Sequence, residues 1–250
     1  MQDEPMQTGA GQRDRAIYEG KAKILYETGR PDELLVYFKD DATAFNGVKH
    51  DQIASKGVLN QRISAHLLGW LNEQGVATHL LRPVNERELL VRRLRMIPVE
   101  VIARNVFAGS LASRLGRPEG EPISPPVVEF SLKDDQLGDP WINETHAVAL
   151  GLCSLETARA MVDEVLRLNA LLSPYLLAHG LRLIDFKVEF GLDDAGQLIL
   201  GDEISPDTCR FWDAETGERL DKDRFRRDLG DVIGAYREVL RRLTGEEVPA

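Results

Sequence analysis

The hydrophobic period changes several times along this chain, and each change marks an element. In "AIYEGKAKILYE" (16–27) and "ELLVYFKD" (33–40), apolar and polar residues alternate around Thr28-Gly29-Arg30-Pro31, which predicts a hairpin or meander. "SKGVLNQRISAHLLGWLNEQG" (55–75) spaces Val58, Ile63, Leu67, Trp70 and Leu71 for a helix, with Gly75 as its stop. "THLLRPV" and "ERELLVRRLRM" read as short strands. In "IPVEVIARN" (97–105), Val99, Val101 and Ala103 fall on one strand face, and Glu100, Ile102 and Arg104 on the other. The prolines of "EGEPISPPVVEF" (119–130) require a loop or extended chain. From Ser154, an N-cap residue, the stripe Leu155, Ala158, Val162, Val165, Leu166 predicts a long helix that Pro174 kinks or ends, with Gly180 closing the segment. Phe225, Leu229, Val232, Ile233, Tyr236 and Leu240 predict a last amphipathic helix over 223–245.

Strands and helices thus alternate in blocks, with several adjacent hairpins. That order predicts an α+β fold with antiparallel sheets rather than a doubly wound parallel sheet. Residues 1–15 are polar and read as a disordered leader. A boundary near Arg95–Pro98 divides the rest into a small N-terminal lobe (16–95) and a larger C-terminal lobe (96–250), with a ligand expected in the cleft between them.

The segment "LRLIDFKVEFGLDDAGQLILGDEISPD" (181–207) departs from an ordinary hairpin. Asp185, Lys187 and Glu189 share one strand face, while Ile184, Phe186, Val188 and Phe190 form an apolar face behind them. A turn centred between Ala195 and Gly196 sets Glu189 opposite Asp202 on the returning strand. Two carboxylates that close repel each other unless a cation lies between them, and magnesium suits such a pair because it completes its shell with water and phosphate oxygens. The same charges also suit a solvated face on which Lys187 pairs with its neighbours, and spacing alone leaves both readings open.

Composition narrows the class. The chain has 250 residues, 43% hydrophobic and 29% charged, as expected of a globular protein. No apolar run approaches the ~18 residues of a membrane helix, and no signal core precedes the first strand, so a cytoplasmic protein is expected. Cys153 and Cys209 stand far apart with no partner at metal-ligand spacing, and read as reduced thiols. A net charge of −10 argues against nucleic acid as a partner, although local basic clusters can still bind anionic small molecules. Such clusters exist: Lys21 and Lys23 on one strand face after Gly20; Arg104 at a strand end, followed by a short helix capped at Gly109-Ser110 and stopped by Gly116; and Arg210, Lys222 and Arg226 near the C-terminus. Each also suits ordinary surface. Neither "GxxxxGK[ST]" nor "GxGxxG" occurs.

Five of these stretches, in this order, resemble the motifs of the SAICAR synthetase (phosphoribosylaminoimidazole-succinocarboxamide synthase) family: "YEGKAK", "IPVEVIARNVFAGS", "LIDFKVEFG", "GDEISPDTCRFWD" and "DKDRFR". The resemblance runs from Ala16 to Leu243. It implies two α+β lobes, akin to ATP-grasp enzymes and kinases, with the nucleotide in the cleft. It also implies an ATP- and magnesium-dependent ligase of purine biosynthesis. That enzyme joins the carboxylate of 5-amino-1-(5-phospho-D-ribosyl)imidazole-4-carboxylate (CAIR) to L-aspartate, releasing ADP and phosphate.

A carboxylate is a poor acyl donor, so phosphoryl transfer to CAIR, giving an acyl phosphate, is the expected solution, and positioning and charge neutralisation are its main demands. By resemblance, Glu189, Asp202 and Asp139 hold magnesium, and Lys21, Lys23, Lys133 and Lys187 contact the ATP phosphates. The backbone at Met96 receives the adenine. Arg104, Ser110, Arg210 and Arg226 bind CAIR, with the short helix after Ser110 cradling its phosphate. Lys187 and Asp185 are the candidate catalytic residues. Gly138 stands where the family often carries His. "DATAFNG" (41–47) and "SKGVLN" resemble the region that completes the aspartate pocket, with Lys56 the candidate there. Bacterial-sized, unfused members are often dimers, so a homodimer is expected. Two other classes compete: a kinase-like phosphotransferase, which makes ADP without aspartate, and a non-catalytic nucleotide-binding module, which lacks the metal carboxylates.

Overall fold

A computed structural model describes residues 13–44 and 48–246. The first twelve residues of the expected leader and positions 45–47 of "DATAFNG" lie outside the described residues. Asp14 and Arg15 are hydrogen-bonded to Glu27, so the described end of the leader runs against a strand.

The strands are β1 (Ala16–Glu19), β2 (Lys23–Glu27), β3 (Glu33–Phe38), β4 (Asp41–Ala44), β5 (Lys49–Gln52), β6 (Leu80–Asn85), β7 (Glu88–Arg92), β8 (Arg95–Val106), β9 (Pro122–Leu132), β10 (Trp141–Ile142), β11 (Leu181–Leu192), β12 (Leu198–Leu200) and β13 (Cys209–Asp213). The helices are α1 (Lys56–Glu73), α2 (Gly109–Leu115), α3 (Glu144–Ala149), α4 (Leu155–Ala178), α5 (Asp223–Arg226) and α6 (Val232–Thr244). One sheet runs β1-β2-β3-β7-β6, and a second runs β10-β9-β8-β11-β12 with β13 also on β11. Every strand pairing in them is antiparallel, as the α+β reading requires. The two sheets meet where β12 touches the segment before β6: His79 N–H donates to Leu200 C=O at 2.8 Å, and Leu200 N–H to Ala77 C=O at 3.0 Å.

The expected face of β8 holds: Val99, Val101 and Ala103 are buried in the main core with Phe186, Val188 and Phe190 of β11. Fully burying each such side chain stabilises by about 1.5–3 kcal/mol. Ile184 is a correction. An irregularity between Leu183 and Asp185 shifts the register against β13, so Leu183 joins the main core while Ile184 packs separately with Val106, Ala108 and Trp212.

Two expectations change at element boundaries. Pro174 does not end α4, which runs one further turn to Ala178. The C-terminal stretch is two helices: Asp228, Gly230 and Asp231 adopt positive φ, and the Asp231 carboxylate accepts from Gly234 N–H as a fresh N-cap. The Pro-rich segment is extended chain, one of the two forms expected: it is strand β9, whose N-terminal part lies on the sheet edge beyond the reach of the two-residue β10, where missing N–H groups cost nothing.

Candidate active site

The hairpin at 181–207 opens differently from the expected register. Leu192 pairs with Leu198 and Phe190 with Leu200, so the loop centres on Ala195, with Gly196 at φ +79°. The Asp193 carboxylate fixes this loop by accepting from Ala195 and Gln197 N–H. Glu189 therefore lies across from Gly201, whose N–H donates to its carbonyl at 2.9 Å, and not across from Asp202. Asp202 stands past the end of β12, free of the pleat, and its side chain still reaches the cavity that Glu189 lines. The two carboxylates share a cavity through a strand end rather than through cross-strand pairing.

That cavity, of about 440 Å³, opens between the two sheets. Lys21, Lys23, Lys133 and Lys187 line it, against Glu100, Glu189, Asp202 and Glu203. Lys21 lies in the bend between β1 and β2 rather than on a strand, and reaches Asp135 at 2.7 Å. Lys23 is bound to Asp202 and stands 3.4 Å from Glu203. Lys133 meets Glu189 at 2.5 Å, while Lys187 meets Glu100 at 2.6 Å and Glu189 at 3.6 Å. Burial opposes the charge on Lys23 and Lys187, but the carboxylates outweigh it and raise both pKa values. Burial likewise opposes the charge of Asp202, and Lys23, Lys187 and Lys133 outweigh it and hold its carboxyl well below the ordinary range. These lysines are fixed cations. Asp139, at φ +49°, lines the same cavity and accepts from Asp134 N–H. Among the described residues no three His, Cys, Asp or Glu gather closely enough to hold a metal by themselves.

An apolar slot of about 120 Å³ adjoins the lysines, lined by Leu25, Val36, Phe38, His79, Val91 and Met96. Burial and the nearby Lys23 push His79 down to about 4, so it is a neutral wall at ordinary pH. Gly201 must lack a side chain here, because a Cβ would approach Met96 Sδ to 2.9 Å. An apolar slot beside a row of lysines suits a ligand that carries an apolar ring and anionic groups.

At the other end of the cavity Asp185 Oδ2 accepts from Arg104 at 2.8 Å and from Arg210 at 2.7 Å. Arg210 also donates to Asp223 at 2.9 Å, and Arg226 to Asp223 at 2.6 Å. Arg104 is held from its other side by Glu129. This chain of alternating charges fixes the guanidiniums before any ligand arrives. Ser110 is not the helix cap expected: Ala108 is the N-cap of α2, and Ser110, in the first turn, opens on an adjoining bowl with Arg210, Arg226 and Arg227. Gly109 is required, with φ +51° and Arg210 Nη2 at 2.4 Å from where a Cβ would stand.

The SAICAR synthetase family profile matches residues 16–243. The chain belongs to the SAICAR synthetase family. It is 52% identical to a phosphoribosylaminoimidazole-succinocarboxamide synthase of Clostridium botulinum (strain Alaska E43 / Type E3), over 91% of this chain and 97% of that one. It superposes on a solved SAICAR synthetase (Type-2) in complex with ADP with a TM-score of 0.91 and 47% identity, covering 93% of this chain and 99% of the other. The corresponding enzyme of Ehrlichia chaffeensis gives a TM-score of 0.91 at 42% identity, covering 94% and 100%.

In this SAICAR synthetase fold the back wall of the cavity holds groups that the sequence did not single out. Asp207 is buried, 2.5 Å from Lys56, 3.6 Å from Lys222, and accepts from Tyr236 Oη at 2.7 Å. Lys222, of the basic cluster near the C-terminus, also lines the cavity. Glu100 was readable, because it shares a strand face with Arg104. Asp207, Asp221 and Asp223 follow no period and are gathered by loops.

Asp221 is fully buried; its Oδ1 accepts from Asp223 N–H at 2.7 Å, and its Oδ2 has no hydrogen-bond partner among the described residues. Burial and the neighbouring Asp223 push it up to about 7. The unfolded chain releases this proton near the ordinary carboxyl value, so from about pH 4 to 7 the folded state alone holds it, and stability falls as pH rises through that window. Asp221→Asn keeps the acceptor and removes the ionisation. It gains stability over the parent on the order of 2–4 kcal/mol at pH 8, with little gain at pH 4, in urea denaturation. Equal gaps at both values contradict the assignment.

Proposed function

We propose that the cavity is the active site of an ATP-dependent ligase that joins the carboxylate of CAIR to L-aspartate, forming SAICAR, ADP and phosphate in purine biosynthesis. The observation that carries this reading is the continuity of one cavity. An apolar slot, four lysines, a carboxylate pair and an arginine–aspartate relay follow one another along it. Adenine enters the slot beside Met96, and the triphosphate lies along Lys21, Lys23, Lys133 and Lys187. CAIR docks its anionic groups on Arg104, Ser110, Arg210 and Arg226, with Asp185 holding two of those guanidiniums in place. In the proposed division, residues 16–95 cover ATP, and 96–250 carry the metal and CAIR sites.

Magnesium fits the donor set. Glu189 and Asp202 are hard oxygen ligands in one cavity, and two carboxylates plus phosphate oxygens are its usual shell. Both are neutralised by Lys133, Lys187 and Lys23, which turn to the nucleotide phosphates when it binds. Asp139 is the third candidate, from the opposite rim. When bound, the ion neutralises charge developing on the transferred phosphoryl group.

The residues then do three things. Lys187, held charged on β11, faces the phosphoryl group in transit between nucleotide and acceptor. Arg104 and Arg210 orient the CAIR carboxylate so that one of its oxygens takes the phosphoryl group. The acyl phosphate so formed gives its carbonyl carbon to the aspartate amine, and phosphate leaves. A homodimer and a cytoplasmic setting belong to this proposal through the family resemblance.

ADP release that requires both CAIR and L-aspartate is the expected result in a coupled assay. ADP formed with CAIR alone at the full rate, or with a hydroxyl acceptor, favours the phosphotransferase reading and contradicts this one.

A further inference from the structure

The ligase reading leaves one proton without an acceptor, and the inference here rests on that reading. L-Aspartate arrives with a protonated amine, and an ammonium has no lone pair for attack on a carbonyl. The lysines along the phosphate path are unsuited to take that proton, because carboxylates hold Lys23 and Lys187 charged.

Lys222 differs from them in position and in partners. It lines the main cavity, on the wall that also carries Asp185 and Arg210. Its side chain is only 13% exposed, and among the described residues its one ion pair is to Asp207 at 3.6 Å, beyond hydrogen-bond reach. Asp207 is already committed to Lys56 at 2.5 Å and to the Tyr236 hydroxyl at 2.7 Å. The charged groups around Lys222 are Asp207 and Glu203 from the segment after β12, Lys56 from α1 and Arg226 from α5. Glu203 is itself engaged by Lys23 and by the Ser205 hydroxyl, and Arg226 by Asp223. Two lysines thus share one buried carboxylate: Lys56 stands nearer, and both amines hold the Asp207 carboxyl below the ordinary range. Lys222 is left as a largely buried amine lining the cavity, and among the described residues its side chain makes no hydrogen bond. Burial lowers its pKa, Lys56 and Arg226 push the same way, and Asp207 and Glu203 oppose them.

We propose that Lys222 is the general base of the ligation: its amine takes a proton from the ammonium of L-aspartate. The proton moves from the aspartate nitrogen to Lys222 Nζ, which becomes an ammonium. The freed lone pair forms the C–N bond as the bond from the acyl carbon to the phosphate oxygen breaks, and the phosphate departs with that electron pair. The surplus proton on the new amide nitrogen leaves with the phosphate. Lys56 and Tyr236 act as positioning residues, because they fix the Asp207 carboxylate beside Lys222.

The test compares two nucleophiles on the full chain with ATP, magnesium and CAIR. L-Aspartate needs deprotonation, whereas hydroxylamine is largely unprotonated at neutral pH and intercepts acyl phosphates directly. In Lys222→Met and Lys222→Arg, aspartate-dependent ADP release falls by on the order of 10²–10³-fold. Hydroxylamine-dependent ADP release stays within about threefold of the parent's own hydroxylamine rate, so the loss sits at proton removal. The residual aspartate rate of Lys222→Met climbs with pH, since only spontaneously neutral amine reacts.

Two outcomes overturn the proposal. If Lys222→Arg keeps aspartate turnover, a fixed cation suffices, and Lys222 is a carboxylate clamp. If both nucleophiles fail together in both variants, Lys222 serves acyl phosphate formation or the fold. A parent chain that releases no CAIR-dependent ADP with either nucleophile refutes the ligase reading instead.

Discussion

Glu189→Gln lowers turnover by on the order of 10²–10³-fold while CAIR affinity changes by about threefold or less. The substitution is nearly isosteric and removes one negative charge. That charge is the counter-ion of Lys133 at 2.5 Å and of Lys187 at 3.6 Å, and it is half of the carboxylate pair proposed to hold magnesium. CAIR docks on guanidiniums fixed by Asp185, Asp223 and Glu129, none of which pairs with Glu189. Steady-state kinetics with isothermal calorimetry on the same preparation separate the two effects. A fall in CAIR affinity that matches the fall in turnover removes Glu189 from the metal role.

Arg210→Ala acts on the other substrate. Arg210 is 16% exposed and bridges Asp185 and Asp223, with Asp185 shared by Arg104. Its loss removes a ligand contact and leaves two buried carboxylates each with one fewer partner. Truncating one member of a buried hydrogen-bonded charge pair costs about 2–5 kcal/mol, so the CAIR requirement rises by about 30-fold or more. The nucleotide slot lies at the far end of the cavity, lined by Leu25, His79 and Met96, and ATP affinity stays within about twofold. Calorimetry that finds ATP binding weakened as much as CAIR binding contradicts the assignment of Arg210.

The sequence revealed the strands better than the loops between them. The alternation of β8 and β11 is written by sheet burial, and both charged faces turn into the cavity as their spacing implies. The turn at 193–197 is not legible in the hydrophobic pattern, because its centre depends on which backbone N–H groups the Asp193 carboxylate collects, and one residue of difference sets Gly201 rather than Asp202 across from Glu189. Ile184 escaped the parity argument for a similar reason, since a local irregularity leaves no mark on hydrophobic period. Lys222 is the clearest case. Its burial arises from Lys56, which precedes it by more than half the chain, and from Asp207, which sits in a loop. Hydrophobic period does not distinguish Lys222 from solvated surface; only the resemblance of "DKDRFR" to a family motif marks the stretch.

The cavity holds as many carboxylates as cations, eight of each, although the proposed substrates are polyanions. Paired lysines keep their positions and their protons, so the site is ordered before substrates arrive; in the proposed reading the nucleotide displaces carboxylates rather than water from them.

Transfer of an oxygen atom tests the account most directly. CAIR labelled with ¹⁸O in its carboxylate is turned over with ATP and L-aspartate, and the released phosphate is analysed by mass spectrometry. An acyl phosphate route carries one carboxylate oxygen into each phosphate, so labelled phosphate appears in step with ADP. Unlabelled phosphate, with the isotope retained wholly in CAIR and its amide product, contradicts phosphoryl transfer to the carboxylate.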